Sequence, residues 1–148
     1  MFKTILQTTK KYPNTFMKID EIQIRVRYGE TDQMGIVHHS NYALYLEMAR
    51  IEWLRKLGVS YKKMEEDGFI LPVVSLALNF KKSAYYDDVI KVKTQLKKPP
   101  TATIEFEYEI TNEQGEIITT ANTVLAFLDT KSKRPIRAPK FILDCLQD

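Results

Sequence analysis

Cysteine is nearly absent: Cys145 is the only one among 148 residues. No internal disulfide can form and no cysteine-rich zinc cluster can assemble, which excludes a stapled secreted scaffold. Histidine is as scarce, with His38 and His39 alone and adjacent. Neighbouring residues point in different directions, so the pair does not read as a metal centre. The five glycines include neither a Gly-x-Ser-x-Gly elbow nor a Gly-x-Gly-x-x-Gly loop, which removes the usual serine-hydrolase and dinucleotide-binding arguments. No cofactor is expected. An excess of one charge is missing too: 22 Lys+Arg against 19 Asp+Glu leave +3, too little to argue for nucleic acid as a partner. The most apolar stretch, Phe69 to Phe80, is broken by Pro72, Ser75 and Asn79. It falls well short of a membrane span of roughly 20 residues, so no membrane insertion is expected. Met1 to Lys18 lacks the continuous apolar segment of a secretory signal, and the expected setting is cytoplasmic.

What is present is enough apolar residue, 44%, for the core of one domain. Residues 1–20 read as an N-terminal extension, with Met17 an alternative start, and residues 21–148 as a single domain. Ile22, Ile24, Val26 and Tyr28 alternate with polar residues, the period of a half-buried strand. From Ser40 to Leu57 there is neither Pro nor Gly, and Gly58 then supplies a stop, so a long helix is predicted. Its apolar residues run nearly all the way round, which predicts a helix buried on every side. Four strand patterns follow, Leu71–Phe80, Val89–Leu96, Thr103–Thr111 and Glu116–Leu128, with turns short enough for antiparallel pairing. A short helical tail is expected at Pro139–Leu146. The order predicts an α+β fold in which one antiparallel five-stranded sheet curls around one long central helix. Such a layout leaves an apolar face open, so a homo-oligomer is expected, a dimer or a tetramer built from dimers.

Between strand and helix lies Tyr28-Gly29-Glu30-Thr31-Asp32-Gln33-Met34-Gly35-Ile36-Val37-His38-His39-Ser40-Asn41-Tyr42, with Glu47, Ala49 and Arg50 on the helix beyond. This pattern resembles the 4-hydroxybenzoyl-CoA thioesterase-like branch of the hotdog superfamily of acyl-CoA thioester hydrolases. With the element order, the resemblance covers the chain from about Ile22 onward. It implies a hotdog fold, an acyl-CoA substrate and Asp32 as the catalytic carboxylate. It also implies that the His39 backbone N–H polarises the thioester carbonyl, with the side chains of Tyr28 and His39 beside the site. A sister branch carries its carboxylate on the central helix instead, which makes Glu47 the reserve.

The chemistry can be argued apart from the resemblance. A thioester carbonyl has little resonance stabilisation and its leaving thiolate is weakly basic, near the ~8.5 of a free thiol, so a carboxylate suffices to attack the carbon or to deprotonate water. Asp32 precedes a helix N-terminus, where partial positive charge favours an anion. The same helix end offers unpaired N–H groups, and one aimed at a developing oxyanion supplies roughly 3 kcal/mol.

Each residue also has a plainer reading. Asp32 could only shape a turn, Ser40 or Asn41 could cap the helix with His39 idle, and Tyr28 could be a strand-end aromatic packed on the core. Glu47 could pair with Arg50, three residues on. Gly35, Met34, Asn41 and Tyr42 are expected beside the substrate, with Val73, Val74 and Tyr45 as further candidate lining of an acyl channel or simply core. Lys133 and Arg134, in the basic run from Lys131 to Lys140, are candidates for the coenzyme A phosphates. Two other functions compete. A hotdog hydratase or dehydratase would want a histidine in a Pro-rich loop, whereas this loop is Pro-free; a non-catalytic acyl-CoA binding module would bind and not turn over.

Overall fold

The computed structural model describes residues 18–147, so residues 1–17 of the expected extension lie outside the described part. Strand β1 (Asp20–Arg25) leads through a 3-10 turn at Tyr28–Glu30 to helix α1 (Ser40–Lys56) and a short helix α2 (Tyr61–Glu66). Strands β2 (Phe69–Ile70), β3 (Val73–Phe80), β4 (Val89–Leu96), β5 (Thr103–Thr111), β6 (Ile117–Ala126) and β7 (Leu128–Asp129) follow, and helix α3 (Lys140–Cys145) closes the chain. Five strands form one antiparallel sheet in the order β1-β4-β5-β6-β3, and β2 pairs with β7 apart from it. None of the described helices is long and apolar enough to cross a membrane.

Period-two alternation sends Ile90, Val92 and Leu96 of β4 to the same face as Ile104, Phe106, Tyr108 and Ile110 of β5, and all are buried. Helix α1 covers that face with Tyr45, Leu46, Ala49, Trp53 and Leu54, likewise buried. The Trp53 ring meets Phe106 edge-on at 5.1 Å, a geometry suited to aromatic quadrupoles. The expected α+β architecture, a five-stranded sheet around a central helix, is therefore present. Helix α1 stops as Gly58 predicted. Gly58, at φ 86°, donates to the Arg55 carbonyl, and Val59 donates to that of Leu54, the paired bonds of a glycine-terminated helix.

Three expectations are corrected. Helix α1 is not buried on every side, because Leu44 and Met48 are about half exposed at 54% and 49%. One sheet covers one helical face, and among the described residues nothing covers Leu44 and Met48 on the other. Tyr28 is not the end of β1, since the Glu30 carboxylate accepts the Arg27 N–H and bends the chain into the 3-10 turn. The last strand reading, Glu116–Leu128, is two strands. Phe127 is buried and donates to the Ala102 carbonyl, after which Leu128–Asp129 leaves the main sheet for β2. Helix α2, capped by the Ser60 hydroxyl, was not expected from the sequence.

The strand at the sheet edge carries the main exposed apolar surface. In β3, Val73, Val74, Leu76 and Phe80 are 45 to 58% exposed. A bulge falls between Val73 and Ser75.

Candidate active site

The segment joining β1 to α1 is folded around one side chain. Glu30, only 8% exposed, takes the Arg27 N–H at 2.8 Å and the Tyr45 hydroxyl at 2.9 Å on Oε1. Its Oε2 takes Nε and Nη2 of Arg27 at 3.1 and 3.0 Å. Burial alone would raise the carboxyl, but the Arg27 N–H, the Tyr45 hydroxyl and the Arg27 guanidinium together hold it below the usual carboxylate value. Burial and the neighbouring carboxylate push the Tyr45 hydroxyl in the other direction, well above its usual value. It therefore stays a protonated donor.

Two residues on, Asp32 closes a tight turn. Its Oδ1 accepts the Met34 N–H at 2.8 Å, its carbonyl accepts that of Gly35, and its own N–H donates to the Ile36 carbonyl. Gly35 sits at φ 78°, where any side chain would be strained. Oδ2 of Asp32 has no hydrogen-bond partner among the described residues. The plain turn-shaping reading of Asp32 is thus half met, with one oxygen engaged and the other available.

At the helix entry the capping differs from expectation. Neither Ser40 nor Asn41 caps with its side chain, and the N-cap is His39 itself, whose side chain makes no capping bond. The His38 ring takes over. Its Nδ1 accepts the Ser40 N–H at 3.2 Å and lies 2.8 Å from the Ser40 hydroxyl, which places the ring proton on Nε2. Asn41 N–H donates to the His38 carbonyl and Tyr42 N–H to that of His39. That leaves the His39 N–H without a partner among the described residues, at a helix end where such donors attract anions.

Asp32, Met34, Ile36, Val37, His39, Tyr42, Phe80, Lys82 and Ser83 line one cavity of about 130 Å³. Tyr42 is buried, with its ring edge-on to Phe80 at 5.1 Å, and burial raises its hydroxyl. On the far side of Asp32 an open groove is lined by Tyr28, Gly29, Thr31, Gln33, Gly35 and Tyr86. Tyr28 is 77% exposed and stacks edge-on against Tyr86 at 5.4 Å, which overturns the reading of it as a core aromatic.

The remaining predicted residues lie elsewhere. Glu47 pairs with the buried Arg50 at 3.6 Å, as the ion-pair reading had it, and the two line a different cavity with Ile51 and Tyr61. Tyr45 is core, turned to Glu30. Val73 and Val74 lie on the exposed edge strand and in none of these cavities. Lys133, at φ 59°, and Arg134 stand in the turn after β7, which is shaped by Asp129. Asn41 donates its side-chain amide to the Glu30 carbonyl at 2.9 Å instead of facing the cavity. Contrary to the expectation that adjacent side chains point apart, the His38 and His39 rings lie against each other with centroids 4.2 Å apart, and no group of three or more His, Cys, Asp or Glu fit for a metal occurs among the described residues. Sequence reasoning missed Glu30, Phe80, Ser83 and Tyr86. The last three arrive through bonds between the two loops, Val37 N–H to the Ala84 carbonyl and a bridge between Ile36 and Tyr85, a long-range pairing with no local signal. Glu30 had one signal, its position three residues after Arg27 at a strand end.

Comparison with known proteins bears on this geometry. Residues 26–146 match the thioesterase-like superfamily. The chain belongs to that superfamily. The acyl-CoA thioesterase YbgC of Haemophilus influenzae is 31% identical over 118 residues, covering 79% of this chain and 86% of its own. The Bacillus subtilis protein YneP is 34% identical over 128 residues, covering 86% and 93%. Among solved structures, a DHNA-CoA thioesterase from Staphylococcus aureus superposes with a TM-score of 0.81 at 41% identity, covering 85% of each chain. A 4-hydroxybenzoyl-CoA thioesterase, a mutant with its substrate bound, superposes with a TM-score of 0.77 at 24% identity, covering 86% and 98%. That last likeness speaks for the shared hotdog fold alone. As a member of the thioesterase-like superfamily, the chain has its Asp32 loop, helix entry and cavity wholly within the matched residues.

Proposed function

We propose that the protein hydrolyses acyl-CoA thioesters to the free acid and coenzyme A at the junction of the Asp32 loop and helix α1. The observation that carries this reading is that a carboxylate oxygen and a helix-entry N–H, each without a partner among the described residues, both belong to residues lining one cavity. In this reading the His39 N–H receives the thioester oxygen as it gains charge, worth roughly 3 kcal/mol, while Asp32 attacks the carbon or activates water. Tyr28 stands on the groove side of Asp32, where the thiol portion of the substrate would leave, and Met34 and Gly35 form the lip between the two clefts. Glu47 is set aside as a structural partner of Arg50.

Size argues that the chain does not act alone. The cavity of about 130 Å³ on one side of Asp32 is smaller than the roughly 300 Å³ at which ligand sites begin, and the groove of about 740 Å³ on its other side is open to solvent, so a second copy would supply the enclosing wall. The exposed apolar edge of β3, with Leu44 and Met48 of α1 beside the sheet's open side, is the surface a second copy would cover. Antiparallel pairing of two β3 edges would set the Val73 end of one against the Phe80 end of the other, and Phe80 lines the Asp32 cavity. Val73 and Val74 of the partner copy would then close the acyl channel. The turn holding Lys133 and Arg134, tied to that end through β2 and β7, would approach the coenzyme phosphates. A tetramer of such dimers is compatible with this arrangement. The lone cysteine fits a reducing, cytoplasmic setting.

The solved relative named for a DHNA-CoA substrate favours an aromatic acyl group. Thiol release from benzoyl-, naphthoyl-, hexanoyl- and palmitoyl-CoA tests the proposal: turnover is expected, with aromatic substrates preferred. Binding of these compounds without thiol release would make the protein a binding module instead.

A further inference from the structure

Within the loop that carries Asp32, Glu30 hydrogen-bonds to neither catalytic candidate but to the segments on either side of them. The Glu30 carbonyl accepts the His38 N–H and the Asn41 side-chain amide, both at 2.9 Å, and so fixes the residue immediately before His39. The Glu30 side chain reaches down to the Tyr45 hydroxyl on α1 and back to the Arg27 N–H at the strand end. Asp32 lies two residues beyond. Strand, loop and helix are thus pinned through a single side chain and its own carbonyl. Tyr45 is 1% exposed and Glu30 8%, so solvent cannot easily replace either partner, and an unmet bond there would be resolved by movement of the loop.

We propose that Glu30 and Tyr45 are positioning residues that set the placement of the Asp32 carboxylate relative to the His39 N–H. This rests on the reading of Asp32 given above. The side chains act through geometry and not through charge on the substrate. The distinction matters because neither lines the Asp32 cavity, so their loss should leave binding nearly untouched and slow the chemical step. A displacement of the order of an ångström can cost up to about a hundredfold in rate. Removing the Tyr45 hydroxyl, which leaves the rest of the ring in place, should produce a smaller shift and a smaller loss.

The test is steady-state hydrolysis of benzoyl-CoA and hexanoyl-CoA by the full chain and the variants Tyr45→Phe, Glu30→Ala, Glu30→Gln and Asp32→Asn. Melting temperatures are recorded alongside. Tyr45→Phe is expected to lower kcat about tenfold with KM within about twofold, the signature of an interaction that matters only in the transition state. Glu30→Gln keeps an oxygen for the Tyr45 hydroxyl and the Arg27 N–H, and should recover most of the turnover that Glu30→Ala loses. A role confined to stability would lower the melting temperature and leave kcat of the folded enzyme intact. Wild-type kcat in Tyr45→Phe beside an inactive Asp32→Asn would overturn the inference, as would equal turnover in the Gln and Ala variants. If Glu30→Ala does not fold, Tyr45→Phe alone decides. Full activity in Asp32→Asn would instead overturn the underlying reading of the site.

Discussion

Glu30 shows how one side chain can impose a local structure that periodicity does not reveal. Alternation alone carries β1 through Tyr28, yet the strand ends at Arg25 because a buried carboxylate claims the next free N–H. The same carboxylate makes a thermodynamic prediction. Its value in the folded chain is lowered, so its stabilising contribution is complete above the ordinary carboxylate value of 4.5 and is lost as the pH falls through the lowered one. Melting curves of wild type and Glu30→Gln should therefore differ by a constant amount from about pH 7 to about pH 5, and the gap should shrink progressively as the pH falls below the ordinary carboxylate value toward the lowered one. A gap that persists unchanged to about pH 3 would show that the carboxylate is not held by these donors. Asp32 and His39 stood out in the sequence as candidates because their loop resembles that of a known family. Glu30, Phe80 and Tyr86 were not legible, because their importance is conferred by residues distant along the chain.

At the scale of elements, α1 and β3 carry the instructive departures. An all-round apolar helix reads as fully wrapped, and the sheet wraps only one side of it. The residues left over, Leu44 and Met48, are about half exposed, as are Val73, Val74, Leu76 and Phe80 of the edge strand β3. Monomeric proteins seldom leave such an edge open, since unpaired strand groups and apolar side chains invite association. Leu76→Glu and Met48→Glu should each convert the protein to monomers in sedimentation velocity, because a buried unpaired charge costs several kcal/mol in an interface. Turnover should fall in step with loss of the proposed dimer. A monomeric variant with full activity would show that the Asp32 cavity needs no second copy. The glycine stop at Gly58 and the Ser60 cap of α2 illustrate the opposite case, where short-range rules suffice; α2, only six residues long, was hidden by its brevity.

For the whole molecule, the architecture followed from pattern order: one strand, one long helix and then strands joined by short turns leave few alternatives to a single antiparallel sheet against that helix. What order cannot convey is where the loops meet. The Asp32 loop and the segment after β3 are brought together by the pairing of Ile36 with Tyr85 and the bond from Val37 N–H to the Ala84 carbonyl, and the cavity lies between them. The account stands on Asp32 and the His39 N–H acting on the same thioester. Its most direct test compares wild type with Asp32→Asn for both binding and thiol release on benzoyl-CoA, in preparations of matched melting temperature and oligomer size. The account predicts that the variant binds the substrate about as well as wild type and releases thiol at least about a hundredfold more slowly. Thiol release at the wild-type rate by a folded Asp32→Asn protein would contradict it.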